Sequence, residues 1–180
     1  MAPRAAAVGL DLRLGWELTP MPSLLDEDMN SYRLGDLPAV LMELPFGGPL
    51  VLAEALAEHI EAAGLLPVIA HPERAEAVLS EVGAARRLAE RGWLLQVNAT
   101  SLLGYHGPER EALGWRLVEE GLARLVASDG HRTARPPFLD EAYELAQARV
   151  GEGALALFDG RALLDRRLAA ADGLDLAQRS

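Results

Sequence analysis

Residues 50–74, LVLAEALAEHIEAAGLLPVIAHPER, decide the fold of this chain. Apolar residues recur at spacings of three and four over residues 50–63, which predicts an amphipathic helix, and Gly64 follows as its C-terminal stop. Residues 66–70 form a short apolar run, typical of a strand buried on both faces of a sheet. The polar residues 71–74 then close the unit. The stretch therefore predicts a helix, a glycine, a buried strand and a polar loop, in that order.

The same order recurs along the chain, so this unit is repeated. The other apolar runs are residues 6–14, 39–44, 93–97 and 123–127, and the other helical patterns are residues 82–91, 109–120 and 139–150. This alternation predicts an α/β fold built on a parallel sheet or barrel. Outside it, residues 26–36 predict a surface loop or short hairpin, residues 161–170 an outer helix, and residues 170–180 a frayed tail.

The composition limits the classes of function. At 180 residues we expect residues 1–180 to form a single domain with a sizeable core. The net charge of −10, without any run of Lys or Arg, argues against nucleic-acid or anionic-membrane partners. The absence of cysteine excludes a thiolate nucleophile and Cys-type zinc sites. No signal-peptide core and no apolar stretch long enough to span a bilayer occurs, which predicts a cytoplasmic protein.

Residues able to bind metal ions follow the predicted strands. Glu17 and Glu43 come at the ends of the first two strands, His71 follows the third, and Asp129 and His131 follow the last. Because the carboxyl ends of parallel strands meet at one edge of a sheet, we expect these side chains to converge. Carboxylates and imidazoles together suit Mn, Fe, Zn or Mg. Such ions would let an acidic protein act on phosphorylated substrates.

Each of these residues also has an ordinary structural explanation. A Glu beside a strand can cap a helix or pair with Arg, His71 can bond to the backbone of its loop, and Asp129 can be a turn residue before glycine. The metal site is favoured because five such explanations would have to coincide at one edge of the sheet. His59 falls within a predicted helix, and His106, in a loop, is the weaker candidate for lining the pocket.

Several motifs resemble those of the bacterial PHP-type protein-tyrosine phosphatases found in capsular and exopolysaccharide gene clusters. They are AHPER at residues 70–74, QVNATSLLG at 96–104, ASDGH at 127–131 followed by RPP at 135–137, and, upstream, GWE at 15–17 and LMELP at 41–45. HPER or SDGH alone would be a weak signal, but the two in this order are fairly specific. The resemblance extends from about residue 9 to about residue 161.

The resemblance implies a distorted βα barrel of the TIM-like kind with up to three divalent metal ions, commonly Mn, Fe or Mg. In such a site Glu17 would bridge two metals, and Glu43 and His71 would complete the ligation of one of them. Asp129 would bind another metal, and His131 a third.

The resemblance also implies a reaction and a partner. Arg74 and Arg135 would hold the phosphate, with His131 beside them, and the chain would be a metal-dependent protein-tyrosine phosphatase. The family's usual substrate is the phosphotyrosine tail of a bacterial tyrosine autokinase that controls polysaccharide synthesis and export. Two alternatives stay open: a PHP-family phosphatase of a small, histidinol-phosphate-like phosphomonoester, and a non-catalytic, truncated remnant that acts as a binding module. The oligomeric state is left open as well.

The chain departs from the family pattern at one point. The family opens with a His-x-His motif at the end of its first strand, whereas no histidine precedes His59 here. We therefore expect a partial, N-terminally truncated PHP domain in which one metal loses two ligands. The site formed by Glu17, Glu43 and His71 would be left nearly whole. The first predicted strand would then form an open edge of the barrel.

Overall fold

Five parallel strands form the sheet of this computed structural model, which describes residue 9, residues 12–131 and residues 136–164. The strands are β1 (Glu17–Leu18), β2 (Ala39–Glu43), β3 (Leu66–Ala70), β4 (Leu94–Asn98) and β5 (Ala123–Ala127). They are hydrogen-bonded in chain order, β1-β2-β3-β4-β5, and each neighbouring pair is parallel. This confirms the predicted α/β fold on a parallel sheet.

The segment between β1 and β2 contains two 3₁₀ turns; every later connection of the parallel sheet, and the chain after β5, contains α-helices. They are α1 (Val51–Ala62), α2 (Glu76–Ser80), α3 (Val82–Glu90), α4 (Ala99–Leu102), α5 (Pro108–Glu119), α6 (Leu139–Val150) and α7 (Ala154–Phe158). Short 3₁₀ turns occupy Pro22–Asp26, Met29–Tyr32, Pro72–Arg74 and Gly151–Gly153. None of the helices in the described part of the chain is long and apolar enough to cross a bilayer.

Helix α1 ends at a glycine, as the sequence predicts. Gly64 has a φ of 75°, and its N–H donates to the Glu61 carbonyl at 2.9 Å. The Leu65 N–H donates to the Ile60 carbonyl at 3.2 Å. These two bonds form a Schellman motif, which satisfies carbonyls at the helix end and turns the chain directly into β3.

Strands β2, β3 and β4 bury both of their faces, with period two. Val40, Met42 and Ile69 point into the larger core, which also contains apolar residues of helices α1, α3, α5 and α6. Val68 and Leu94 belong to a smaller cluster with Ala39 and Leu125, packed against Leu34, Leu37 and Leu163. Burial on both faces explains why these strands are continuous apolar runs rather than alternating ones. The sheet is thereby held rigidly, and its carboxyl ends provide a fixed platform.

Four predicted strands and four predicted helices are observed with ends shifted by no more than one residue. The strand predicted for residues 6–14 is wrong where the structure describes it, because residues 12–16 are not a strand and β1 covers only Glu17–Leu18. Leu12 and Leu14 are 46% and 84% exposed, so this apolar run does not enter the described core. Residues 6–8, 10 and 11 lie outside the described residues.

The segment predicted as a surface loop or hairpin, residues 26–36, contains the 3₁₀ turn Met29–Tyr32 and no strand. It is not purely a surface loop, because Met29 is 1% exposed and packs in the larger core. The Asp28 side chain accepts a hydrogen bond from the Asn30 N–H at 3.0 Å and caps the turn. Residues 161–164 of the predicted outer helix are helical; residues 165–180, with the predicted tail, lie outside the described residues.

Candidate metal centre

The five residues predicted as metal ligands come together at the carboxyl edge of the sheet. Their ligand atoms form two groups, and within each group these atoms lie within 4.8 Å of one another. The first group is Glu17, Glu43 and His71; the second is Glu17, Asp129 and His131. Glu17 is shared, which is the arrangement expected of a carboxylate that bridges two ions. The geometry differs from the three-ion assignment in one respect, because Asp129 and His131 fall in a single group.

The first group is built on the ends of β1, β2 and β3. His71 Nε2 lies 3.0 Å from Glu17 Oε1 and 3.9 Å from Glu43 Oε2. The His71 side chain is 5% exposed, whereas the two carboxylates are partly open to solvent. The hydroxyl of Thr19 donates to Glu43 Oε1 at 2.5 Å and so orients the carboxylate. One face of the group is therefore packed, and the other is accessible to a ligand.

The second group lies where the chain leaves β5. His131 Nδ1 is 2.8 Å from the main-chain carbonyl of Asp129 and 3.2 Å from Asp129 Oδ1. In the tautomer that donates from Nδ1 to this carbonyl, Nε2 keeps its lone pair available for a metal. The His131 side chain is 51% exposed. It can therefore be reached from solvent, unlike His71.

The backbone at this edge is strained at two of the predicted ligands. Among residues 12–131 and 136–164, His71 (φ 33°) and Asp129 (φ 48°) are the non-glycine residues with positive φ. This left-handed conformation is disfavoured for residues that carry a Cβ and concentrates at functional sites. At His71 it turns the chain at the end of β3, immediately before the rigid Pro72. Each ligand group therefore contains one residue with a strained backbone, His71 in the first and Asp129 in the second.

A network of buried polar groups donates a hydrogen bond to the carboxylate of Asp129. Asn98, which is fully buried at the end of β4, donates from Nδ2 to Asp129 Oδ2 at 2.9 Å. Gln96 Nε2 in turn donates to Asn98 Oδ1 at 3.0 Å. The main-chain N–H of Asn98 donates to Glu73 Oε1 at 3.1 Å. The amide of Asn98 is thereby fixed in one orientation, with its donor directed at the candidate ligand.

Glu73, which accepts a hydrogen bond from the main chain of Asn98 in this network, is fully buried. Burial raises the pKa of its carboxyl, and the Ser101 hydroxyl and the Asn98 main-chain N–H oppose that shift. Within the described residues, Glu73 Oε2 and Ser101 Oγ are buried without a hydrogen-bond partner of standard geometry. A proton on Oε2 would allow the carboxyl to donate to the Ser101 hydroxyl and would satisfy both atoms. The buried position of Glu73 therefore favours its neutral form more than exposure to water would.

The donor set fits divalent cations. The first group brings two carboxylates to one imidazole, and the second repeats this composition through the shared Glu17. Carboxylates this close repel each other unless a cation or a proton intervenes. Mixed oxygen and imidazole ligands are suitable for Mn, Fe, Zn or Mg. An ion at each group would offset the repulsion and use every donor.

Of the two arginines predicted to bind phosphate, the structure describes Arg74 and does not describe Arg135. Arg74 lies beside the second group, with its NH1 3.3 Å from Asp129 Oδ2 and its guanidinium over the ring of Phe46 at 4.8 Å from the centroid. It opens onto a cavity of about 320 Å³ lined by Phe46, Arg74, Glu76, His106 and Arg110. His106, the weaker candidate, thus lines a cavity next to the site. Arg135 lies outside the described residues.

Sequence reasoning missed several residues of this edge. Asn98 belongs to a motif that the sequence analysis singles out, whereas Thr19 and Phe46 lie just outside the motifs, and no role was predicted for any of the three. For Asn98 a signal existed, because a polar residue in a strand buried at every position requires a partner. For Thr19 and Phe46 no signal in the sequence indicates which neighbouring segment the side chain contacts.

The chain matches, over residues 4–158, the family described as "Capsular polysaccharide synthesis, CpsB/CapC". It is 34% identical to the tyrosine-protein phosphatase YwqE of Bacillus subtilis over 143 residues, which cover 72% of this chain and 56% of YwqE. It is 29% identical to the putative tyrosine-protein phosphatase CapC of Staphylococcus aureus, over 73% of this chain and 52% of CapC. The chain therefore spans about half the length of these curated relatives.

A solved structure shares the fold. It comes from the crystal structures of YwqE from Bacillus subtilis and CpsB from Streptococcus pneumoniae, which are described as unique metal-dependent tyrosine phosphatases. The TM-score is 0.76 at 29% identity, over 86% of this chain and 65% of the solved one. The predicted fold class is confirmed by this match.

Proposed function

We propose, because this chain belongs to the CpsB/CapC family of capsular polysaccharide synthesis, that it carries a metal-dependent phosphatase site for phosphotyrosine. The observation that carries the proposal is the pair of ligand groups joined by Glu17. The named relatives are tyrosine-protein phosphatases, and the solved neighbours are described as metal-dependent. These names support a phosphotyrosine substrate over a small phosphomonoester.

Two ions would be held by the five residues. Glu17, Glu43 and His71 would hold one, and Glu17, Asp129 and His131 the other, with Mn, Fe or Mg as the proposed metals. When bound, such ions supply an activated water and offset charge on the phosphoryl oxygens. The chain's own part is to fix these ligands: Thr19 orients Glu43, and Asn98 orients Asp129.

Arg74 is the proposed phosphate-binding residue. Its side chain is 20% exposed, and the 3.3 Å contact of its NH1 with Asp129 Oδ2 keeps the guanidinium beside the second ligand group. A guanidinium can give paired hydrogen bonds to phosphate oxygens, which fixes their orientation as well as their charge. His131, half exposed at the same edge, would contact the substrate while it binds the metal. Arg135 is proposed for the same role as Arg74 from the sequence alone.

The proposed partner is a phosphotyrosine protein, namely the tyrosine autokinase that controls polysaccharide synthesis and export. Its phosphorylated tail would be dephosphorylated in the cytoplasm. The acidic chain, with a net charge of −10, offers no general attraction to a phosphopeptide, so recognition would depend on the ions and on Arg74.

The test is hydrolysis of p-nitrophenyl phosphate and of a phosphotyrosine peptide by the Mn-loaded chain, with His71→Ala as the variant. We expect turnover by the wild type and its loss in His71→Ala together with loss of bound Mn. His59→Ala is the matched control, because His59 on α1 contacts the Glu27 carbonyl rather than the candidate ligands. Full turnover with normal metal content in His71→Ala would overturn the assignment.

A further inference from the structure

Phe46 is a half-exposed aromatic residue beside the first ligand group. It comes three residues after Glu43, the last residue of β2. The end of this strand therefore places both the Glu43 carboxylate and the Phe46 ring at the edge of the site. Its side chain is 50% exposed. Its main-chain carbonyl accepts a hydrogen bond from the Glu76 N–H at 2.9 Å, which anchors the segment to the start of α2. The ring is therefore held in place while half of it remains available for contact.

Two residues of the proposed site contact the Phe46 ring. The ring is nearly parallel to the imidazole of His71, with an interplanar angle of 12° and a centroid distance of 6.0 Å. The guanidinium carbon of Arg74 lies 4.8 Å from the centroid of the ring. A group bound to Arg74 and to an ion at His71 would therefore have the Phe46 ring as its neighbour.

The open part of Phe46 forms a wall of the cavity of about 320 Å³ next to the site. This volume is near the lower limit of pockets that bind small molecules, so it suits one aromatic side chain rather than a large ligand. The other walls are polar and include Arg74 and Arg110. A phosphate bound at Arg74 would leave the group esterified to it facing Phe46. The cavity thus places one aromatic ring beside two arginines, in a lining that also includes Glu76 and His106.

We propose that Phe46 determines specificity, by packing against the aryl ring of a phosphomonoester so that aryl phosphates are favoured over alkyl phosphates. This inference rests on the proposed function of the site. Aromatic pairs prefer offset-stacked or edge-to-face contacts and are more favourable than their buried area alone predicts. A flexible alkyl ester would gain no comparable contact. The site therefore selects tyrosine over serine and threonine esters.

The experiment compares two stable probes, phenylphosphonate and methylphosphonate, whose affinities for the full Mn-loaded chain are measured by titration calorimetry. The wild type is expected to favour phenylphosphonate, and Phe46→Leu is expected to reduce this preference by about three- to tenfold. Phe46→Trp is expected to retain it. Tyr105→Leu is the control, because Tyr105 is also an exposed aromatic residue but stacks on Phe138 instead of His71. Mn affinity is measured for every variant.

Each outcome has a distinct meaning. Loss of the aryl preference in Phe46→Leu, with unchanged Mn affinity and unchanged binding of methylphosphonate, supports the proposal. If both probes weaken equally, or Mn affinity falls with them, Phe46 only supports His71 and the proposal is wrong. If the wild type binds both probes without an aryl preference, the specificity proposal alone fails. If the Mn-loaded wild type binds neither probe, the proposed phosphatase site fails as well.

Discussion

Asn98 illustrates how a residue outside the two ligand groups can fix the orientation of a proposed metal ligand. Its Nδ2 donates to Asp129 Oδ2, its Oδ1 accepts from Gln96, and its main-chain N–H donates to Glu73. All of these contacts are buried or nearly so. The orientation of Asp129, whose backbone is already strained, thus depends on an amide that has no freedom to rotate.

Asn98→Ala should weaken Mn binding by about 10- to 100-fold, the usual consequence of losing a residue that orients a ligand. Thr100→Val is the matched control: it removes the contact of Thr100 Oγ1 with His106 Nε2, which does not involve Asp129. The measurement is Mn affinity by titration calorimetry. Wild-type affinity in Asn98→Ala would mean that Asp129 does not need this hydrogen bond or does not bind the metal.

Glu73→Gln should change the pH dependence of stability in the metal-free protein. Burial raises the pKa of Glu73 above its ordinary value, so the folded state keeps a proton that the unfolded state releases. The contribution of Glu73 to stability is therefore fully present below the unfolded pKa and is lost as pH rises towards the raised folded pKa. The loss is at most about 1.4 kcal/mol per pH unit. Gln cannot titrate and lacks this loss.

Urea unfolding in the presence of a chelator, at several pH values above 4.5, measures this difference. The free energy of unfolding of Glu73→Gln minus that of the wild type should increase with pH across the window and then level off. A difference that is independent of pH would show that Glu73 ionises in the folded protein as it does in the unfolded one.

At the scale of elements, the sequence predicts the strands better than it predicts what their ends contact. Residues 66–70 are recognised as a strand because burial on both faces leaves a continuous apolar run, and residues 123–127 are recognised although Arg124 within them is exposed. Residues 6–14 show a similar run, yet Leu12 and Leu14 are largely exposed. Hydrophobicity alone does not say whether a partner strand is available. The contacts of Phe46 with His71 and Arg74 depend on side-chain directions in two separate segments, which no local pattern encodes.

A substitution at Gly114 on α5 can test how closely that helix packs against the residues at the edge of the site. A Cβ at this position would lie 3.3 Å from both Leu102 Cδ2 and Val97 Cγ1, and 3.7 Å from Glu73 Cγ. Because these side chains are fully buried, Gly114→Val should lower the free energy of unfolding by about 1–3 kcal/mol. Gly153→Ala is the control, since a Cβ there meets no atom within 4 Å and its φ is −68°. It should be neutral or slightly stabilising. Equal stabilities of the two variants would contradict the close packing of α5.

For the whole molecule, the important property of the site is that it does not exist in the unfolded chain. Its five residues lie between positions 17 and 131 and meet only when the parallel sheet is assembled. Sequence reasoning could predict this convergence, since the carboxyl ends of parallel strands share one edge. It could not predict that Asp129 and His131 join Glu17 in one group, because that depends on the strained turn after β5. Metal binding is therefore expected to be coupled to folding.

The most direct test of this account is the Mn content of the purified chain after equilibration with Mn, compared with that of Glu17→Gln, Glu43→Gln and Asp129→Asn. We expect the wild type to bind more than one equivalent. Glu43→Gln and Asp129→Asn should each lose one ion, and Glu17→Gln should affect both. A wild type without bound Mn, or a Glu17→Gln variant with wild-type content, would contradict the two-group site that Glu17 joins.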